Sequence, residues 1–215
     1  MNAIFSNLEQ RYPALAPVIP SLREAVDLVI RTQSSGGTLF TCGNGGSGAD
    51  ADHIAGEMLK GFLSRRPMPQ EERCALIEQC GSADGAYLAD SLQKGLRCIS
   101  LLSHPGFLSA FANDVDPALV YAQQLYALGR KGDVILGITC SGNAGNVRSA
   151  FQVARHLGIT SVLLTGGKAG KCVEWADCVI AVPETEVYKI QELHLPVYHA
   201  LCAAVEAHFF GSDPR

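Results

Sequence analysis

Short apolar runs alternate with stretches of helical spacing along most of this chain. An apolar run of about four to eight residues between turn residues is typical of a buried strand, and apolar positions recurring every three or four residues are typical of a helix. The predicted strands are 38–42, 98–102, 133–139, 160–165 and 178–182. The predicted helices are 22–30, 49–62, 107–112, 118–128, 146–157, a short one near 172–175, and a long final one at about 186–209.

This alternation predicts the fold class. Short apolar strands separated by helices indicate a parallel sheet that is covered on both faces. We therefore expect an α/β protein, a three-layer sandwich with a five-stranded parallel sheet. Ligands of such doubly wound sheets bind at the carboxyl ends of the strands, so the loops that follow the strands are the first candidates for a site.

The segment between the first two predicted strands departs from the alternation. Residues 64–69 read Ser-Arg-Arg-Pro-Met-Pro, which breaks regular structure. Residues 70–94 are polar, and we expect one or two short helices there, outside the main sheet. The 215 residues suit one domain with a helical extension at the N-terminus.

Composition narrows the class of function. The net charge of −4 does not indicate a surface that binds nucleic acid or a membrane, so neither is expected as a partner. The eight cysteines form no Cys-x-x-Cys pair and several lie in apolar runs, which favours reduced, buried thiols in a cytoplasmic protein. Residues 1–10 lack the features of a secretory signal, and no apolar run reaches membrane-spanning length.

The loop after the first predicted strand is rich in glycine. Residues 43–48 read Gly-Asn-Gly-Gly-Ser-Gly, a literal dinucleotide fingerprint. That fingerprint needs an acidic residue about 20 residues later to hold a ribose, whereas residues 62–68 are neither acidic nor strand-like. Asn44 and Ser47 also add side-chain hydrogen bonds that a pyrophosphate loop does not need. The loop therefore favours a phosphorylated small molecule over a nucleotide, with a plain turn as the simplest alternative.

A second loop of the same kind follows the third predicted strand. Residues 139–146 read Thr-Cys-Ser-Gly-Asn-Ala-Gly-Asn and lead into a helix. Hydroxyls and free N–H groups at a helix N-terminus bind anions, although a capped turn explains this loop taken alone. Two such loops on neighbouring strands predict that one grips a phosphate and the other holds sugar hydroxyls.

Candidate acid/base groups lie on two predicted helices. His53 and Glu57 are four residues apart and share a helix face; a surface ion pair is the simpler alternative. In the last helix, Gln191 and His199 fall within about 80° of each other on a helical wheel. His194 is about 140° from His199 by the same measure, so we expect it to be a structural histidine.

Taken together, these segments resemble the sugar-isomerase (SIS) domain family, and within it the phosphoheptose isomerases. The likeness extends over nearly the whole chain. The motifs that carry it are Cys-Gly-Asn-Gly-Gly-Ser at 42–47, His53-x-x-x-Glu57, Asn113-Asp114, Thr139-x-Ser141-Gly142-Asn143 with Asn146-Val147, and Ile190-Gln191-Glu192-x-His194 with His199.

The resemblance implies a flavodoxin-like fold and a homotetramer whose active sites lie between subunits. It implies the interconversion of sedoheptulose 7-phosphate and D-glycero-D-manno-heptose 7-phosphate. Glu57 would transfer a proton between C1 and C2 through an enediol-type intermediate, with His199 as the second acid/base group. The substrate-binding positions carried over are Asn44, Gly45, Gly46, Ser47, Asn113, Asp114, Thr139, Cys140, Ser141, Asn143 and Gln191.

The resemblance also implies a metal. Some members hold zinc at the positions that match His53, Glu57, Gln191 and His199. Zinc there would polarise the substrate carbonyl and stabilise an enediolate.

This chain departs from the family pattern in its loops. The phosphate loop usually reads Ser-Thr-Ser-Gly-Asn-Ser, so Cys140 and Ala144 replace two hydroxyl residues. Members often carry an arginine where this chain has Gly61, beside Lys60. Residues 70–96 look like an insertion that is atypical of the family. These departures leave open another phosphosugar as substrate.

A second reading belongs to a different class of protein. Some SIS proteins bind sugar phosphates or partner proteins without catalysis, as does the homologue that associates with the replication initiator. Such a binder needs the two loops but not the acid/base pair. The retention of Glu57 and His199 therefore favours the enzyme.

Overall fold

The computed structural model of the protein describes residues 2–168 and 170–211. The strands are β1 (Leu39–Gly43), β2 (Cys98–Ser100), β3 (Val134–Thr139), β4 (Thr160–Gly166) and β5 (Cys178–Val182). The helices are α1 (Asn2–Arg11), α2 (Ile19–Ser34), α3 (Gly46–Leu59), α4 (Gln70–Cys80), α5 (Ser82–Ser91), α6 (Pro105–Asp114), α7 (Val120–Leu128), α8 (Gly145–Leu157) and α9 (Val187–Phe210).

The five strands form one parallel sheet in the order β2-β1-β3-β4-β5. This is the flavodoxin-like strand order, so the predicted fold class is confirmed. The chain moves from β1 to β2 on one side and then returns to place β3 on the other side of β1. That reversal is the topological switch point, where crevices for ligands form outside the carboxyl ends of the strands. The two glycine-rich loops follow β1 and β3 and therefore meet there.

Alternate side chains of each strand enter separate cores on the two faces of the sheet. Leu39 and Leu136 pack with α1, α2, α3 and α9, whereas Phe40 and Ile135 pack with α7 and α8. Burial on both faces explains why the strands are continuously apolar rather than alternating. No helix in the described part of the chain is long and apolar enough to span a bilayer.

Helix α3 is displaced relative to its prediction. It runs from Gly46 to Leu59 rather than over 49–62, because the glycine-rich turn already adopts helical geometry and Lys60 is extended. Beyond Lys60, the backbone N–H groups of Phe62 and Leu63 donate to the carboxylate of Glu206 instead of to helix carbonyls. A contact with a distant helix therefore ends α3.

Other boundaries differ by a few residues. Helix α2 begins at Ile19 rather than at Leu22, and β2 is shorter than predicted. The predicted helix 118–128 is divided into a 3₁₀ turn at Pro117–Leu119 followed by α7. Gly158 ends α8 in the left-handed conformation, as its position predicts.

The segment that follows α3 forms a helical pair outside the sheet, as predicted. Helices α4 and α5 pack mainly on each other, and no residue of α4 is buried. An isolated antiparallel bridge between Pro67 and Gln93 closes the base of the pair. Whether residues 70–96 are an insertion relative to the family stays a prediction.

Candidate active site

The first loop depends on glycine at two positions. A Cβ on Gly43 would lie 2.4 Å from the carbonyl oxygen of Ser47, a backbone atom that cannot move aside. Gly45 has a φ of +56°, in the region that side chains disfavour. The N-terminus of α3 has no side-chain cap, so its free N–H groups and its dipole are available to an anion.

A reciprocal amide pair joins the two loops. Asn44 Nδ2 donates to Asn146 Oδ1 at 2.9 Å, and Asn146 Nδ2 donates to Asn44 Oδ1 at 2.8 Å. Tyr121 of α7 supports this pair, since its hydroxyl lies 2.5 Å from the Gly43 carbonyl oxygen and 3.2 Å from Asn44 Oδ1. Burial raises the pKa of Tyr121 to about 12, with smaller contributions from two acidic neighbours, so it stays a donor.

The second loop is held by bonds between its side chains and the backbone. Ser141 and Asn143 bond to each other twice, and Asn143 Oδ1 accepts from the Lys171 N–H at 3.0 Å. Cys140 Sγ lies 3.7 Å from the hydroxyl of Ser47, which brings the loops into direct contact. Helix α8 also begins without a side-chain cap on its N-cap residue. The N-termini of α3 and α8 therefore face the same crevice, as the two loops predict, and in the first turn of α8 the N–H of Val147 donates to Asn146 Oδ1 at 3.0 Å. Thr139, at the end of β3, accepts from the hydroxyl of Thr165 through its carbonyl at 2.7 Å.

Helices α3 and α9 lie side by side and run in the same direction. The side chain of Gln191 lies against Gly46, where a Cβ would be 2.5 Å from Gln191 Nε2. Further along both helices, the rings of His53 and His199 are 5.1 Å apart between centroids. Gln191 and His199 therefore face α3 together, as the helical wheel predicts. They lie about two helical turns apart along it.

An ion-pair contact on one side and hydrogen bonds on the other orient the imidazole of His53. Its Nε2 lies 3.2 Å from Glu57 Oε1, and its Nδ1 lies 3.0 Å from the hydroxyl of Tyr198. The Tyr198 hydroxyl in turn donates to Asp50 Oδ1 at 3.2 Å. Glu57 is mostly buried, at 12% exposure, with Lys60 Nζ 3.5 Å from its other oxygen. The pair predicted from spacing thus joins a mostly buried carboxylate to an imidazole that is 42% exposed, and the contacts of both groups orient it.

His199 occupies a largely apolar corner of the site. Its ring lies 5.0 Å from the ring of Tyr198 and 5.5 Å from that of Phe62. Burial lowers the pKa of His199, with a further lowering by His53 that Glu57 partly opposes. Among the described residues, no hydrogen-bond partner reaches the buried Nε2 of His199. A neutral imidazole with a spare nitrogen can accept or return a proton near neutral pH.

The predicted metal ligands do not form a ready metal site. Within residues 2–168 and 170–211, no group of three or more His, Cys, Asp or Glu side chains could hold an ion. Both nitrogens of His53 already have partners, and Gln191 lies at Gly46 rather than beside His53. Among the described residues, the buried Nε2 of His199 has no hydrogen-bond partner and could accept an added ligand. No catalytic step is therefore assigned to a metal.

Asn113 and Asp114, predicted to bind substrate, and His194, predicted to be structural, lie outside the two loops. Asn113 and Asp114 are exposed at the end of α6, where Asn113 Nδ2 donates to Asp114 Oδ1 at 2.9 Å. None of the hydrogen bonds found among the described residues links them to the two loops. His194 is fully buried in the core, near the backbone of Thr165 and outside the site, as expected.

Sequence reasoning missed several residues that shape the site. Tyr121 comes from a helix whose sequence contains no polar motif, so nothing along the chain points to it. Asp50 could have been found, because it lies three residues before His53 on the same helix face. Tyr198 could have been found as the neighbour of His199. Arg66 and Glu206 pair across 140 positions of sequence, which no local pattern reveals.

The chain is similar in sequence to known proteins. The SIS domain family model matches residues 15–94. The chain is 36% identical over 188 residues to a phosphoheptose isomerase of Helicobacter pylori strain P12, covering 87% of this chain and 84% of that protein. It is 33% identical over 196 residues to a phosphoheptose isomerase of Burkholderia pseudomallei strain K96243, covering 91% of this chain and 86% of the relative.

Solved structures agree with the sequence relatives. The phosphoheptose isomerase of Neisseria gonorrhoeae superposes with a TM-score of 0.71 at 28% identity, over 95% of this chain and 96% of the other. That of Francisella tularensis gives a TM-score of 0.74 at 26% identity, over 95% of both chains. The resemblance inferred from the motifs is confirmed: the chain belongs to the SIS domain family, within its phosphoheptose isomerase branch.

Proposed function

We propose that the protein is an aldose–ketose isomerase that interconverts sedoheptulose 7-phosphate and D-glycero-D-manno-heptose 7-phosphate. The observation that carries the proposal is the joint presence of an anion crevice and an acid/base pair. The crevice lies between the loops after β1 and β3, and the pair, Glu57 and His199, lies on facing helices. A non-catalytic binder does not require that pair, and the relatives are named as isomerases.

In this proposal the protein's own groups supply the proton transfers. The N-termini of α3 and α8 hold the phosphate. Glu57, oriented by His53, removes a proton from C1 of the ketose and returns it to C2 of the enediol-type intermediate. His199 exchanges a proton with the sugar oxygens through its unpaired nitrogen. The apolar wall that includes Phe62 limits access of water to the intermediate.

The length of α3 bears on how the site is assembled. Gly46 and Glu57 are eleven positions apart, which is about 16 Å at the rise of an α-helix. An extended seven-carbon phosphosugar is shorter than this, so a phosphate at the loops leaves C1 and C2 short of Glu57 of the same chain. This supports the homotetramer that the resemblance implies, with each site built from the loops of one copy and the acid/base pair of another. Beside His199, a mostly apolar cavity of about 660 Å³ lies between α1 and α9 and is large enough for a few side chains of such a neighbour.

A turnover and binding screen over phosphorylated ketoses of five to seven carbons tests the activity. Wild type should isomerise sedoheptulose 7-phosphate, and Glu57→Gln should lose turnover while ligand still raises its melting temperature. Glu78→Gln, a matched change at an exposed carboxylate of α4, should behave as wild type. A folded wild type without turnover on every ketose phosphate in the panel would refute the proposal.

Mixing of inactive variants tests the shared site. Glu57→Gln and Ser141→Asp each remove one half of the site, so neither should be active alone. After unfolding and refolding together, about a quarter of the sites should combine two intact halves if each site draws on two subunits. No recovered activity would place loops and acid/base pair in one chain, and light scattering should give the mass of a tetramer.

Zinc at His53, Glu57, Gln191 and His199 is proposed separately. The unpaired His199 nitrogen supports it. The existing bonds of His53 would have to open, and the Gln191 ligand, which lies at Gly46 in this chain, would have to move or come from another copy. Metal analysis of protein purified without chelator tests it, together with the effect of added zinc on melting temperature. Absence of bound ion and absence of any shift would remove the metal from the account.

We also propose a cytoplasmic location. All eight cysteines are free, and five of them are buried. Thiols persist in reducing compartments.

A further inference from the structure

Arg66 and Glu206 form an ion pair that is almost completely buried, at 1% and 2% side-chain exposure. Arg66 Nε donates to Glu206 Oε1 at 2.9 Å. The ring of Phe210 lies under the guanidinium, 4.8 Å from its centre. Burying such a pair is costly unless the remaining donors and acceptors are also satisfied, so their other partners show what the pair does.

The arginine holds the end of the helix that carries Glu57. Its Nη2 donates to the carbonyl oxygen of Glu57 at 2.9 Å, and its Nη1 donates to that of Met58 at 2.7 Å. These carbonyls belong to the last turn of α3, where no intrahelical donor remains and a cation is favourable. Arg66 therefore bonds directly to the main chain of the proposed catalytic residue.

The glutamate holds the segment that packs on His199. Its carboxylate accepts from the backbone N–H groups of Phe62 at 2.8 Å, Leu63 at 2.7 Å and Ser64 at 3.1 Å. Burial alone would raise the pKa of Glu206, but the bonds from Phe62, Leu63 and Arg66 outweigh it and lower that pKa. Phe62, fixed in this way, places its ring 5.5 Å from that of His199.

The pair thus joins the two helices on which the acid/base groups lie. Glu57 is on α3, and Glu206 lies on α9 seven residues after His199, on nearly the same face. We propose that Arg66 and Glu206 are positioning residues for the isomerisation, setting the separation of Glu57 and His199. This inference rests on the proposed function of those two residues. Proton transfer depends steeply on such separations, since a misplacement of about 1 Å can cost on the order of 100-fold in rate.

The variant Arg66→Lys separates positioning from simple charge pairing. Lysine keeps a cation beside Glu206 but cannot bond to the carboxylate and both carbonyls from one planar fork. We expect a folded protein in which kcat falls by roughly 10- to 100-fold while KM changes by less than about twofold. Glu206→Gln, which keeps an acceptor oxygen and loses the charge, should show the same split. It also serves if the lysine variant does not fold.

Two controls make the test specific. Arg73→Lys alters an ion pair with Asp90 that joins α4 to α5 and touches neither Glu57 nor His199, and it should leave both kinetic constants unchanged. Hydrogen exchange at the backbone amides of residues 62–64 shows whether Glu206 still holds that segment, and it needs no assay of activity. Those amides should exchange at least about tenfold faster in Arg66→Lys and Glu206→Gln than in wild type at matched global stability.

The outcomes separate this inference from the proposed function. An active wild type, with both variants folded and at wild-type kcat, would overturn the positioning role and leave the isomerase intact. A rise in KM alone, with kcat unchanged, would equally overturn the positioning role. A folded wild type that turns over no ketose phosphate would refute the proposed function and with it the catalytic purpose of the pair, whatever the exchange rates.

Discussion

The free energy of unfolding should decrease as the pH falls, because one histidine is buried in its neutral form. His194 is completely buried, and neither ring nitrogen has a hydrogen-bond partner of ordinary geometry among the described residues. Burial lowers its pKa from 6.5 to about 4, and a backbone group of Thr165 offsets part of the effect. Since the unfolded chain binds a proton that the folded chain rejects, stability is complete above pH 6.5 and is lost as pH falls toward 4. The full loss is about 3 kcal/mol, of which about 2 kcal/mol has gone at pH 5.

The variant His194→Leu removes this titration while keeping an apolar side chain of similar size in the core. Urea unfolding at pH 7, 6 and 5 gives the free energy of unfolding for both proteins at one protein concentration, since an oligomer's stability depends on it. The wild type should lose about 2 kcal/mol more than the variant between pH 7 and pH 5. Parallel pH curves for the two proteins would show that His194 titrates alike in both states and refute the reasoning.

Three further predictions concern the site. Gly46→Ala places a Cβ 2.5 Å from Gln191 Nε2, so it should displace that amide and raise KM at nearly unchanged melting temperature; an unaltered KM would count against a role of Gln191 in binding. Asn44→Ala and Asn146→Ala should each lower the free energy of unfolding by about 1 kcal/mol. A double-mutant cycle from urea unfolding should show that the two losses are coupled. Strictly additive losses would mean that the amide pair is not formed. Tyr198→Phe removes the hydroxyl beside His53 and should lower kcat at unchanged fold, measured by steady-state kinetics; a wild-type kcat would show that the ring of His53 is held in other ways.

The fold was predictable because its signal is local and repeated. Strands buried on both faces are short apolar runs, and these runs alone mark all five strands. The residues at which helices begin were harder to predict. Gly46 and Gly48 are poor helix formers, yet α3 begins at Gly46 because Gly45 makes the turn and the loop packs against Gln191.

Part of the site was predictable for a similar reason. His53 and Glu57 are four residues apart, and Gln191 and His199 share a helix face, so helical geometry alone pairs each couple. The contact between the couples is tertiary, and neither spacing nor composition encodes it. Only the family resemblance brought them together before the structure placed their helices side by side.

The supporting contacts were not predictable. Arg66 in the sequence is one basic residue in a turn, and Glu206 is one acid in an apolar helix. Their burial as a pair depends on the path of the chain after α3 and on the packing of α9. Tyr121 likewise bonds to the Gly43 carbonyl from a helix with no polar motif. Such residues are found by asking where buried donors and acceptors bond, which requires coordinates.

Glu57 is the group that moves the proton in the proposed isomerisation, and every other role depends on it. Isomerisation of sedoheptulose 7-phosphate in D₂O, followed by NMR, tests this directly, because a carboxylate that exchanges with solvent delivers deuterium to C2 of the aldose. We expect deuterium at C2 in the wild-type product. With Glu57→Gln we expect neither product nor label, although that variant should still bind the ketose. Labelled product formed by Glu57→Gln at the wild-type rate would contradict this role of Glu57.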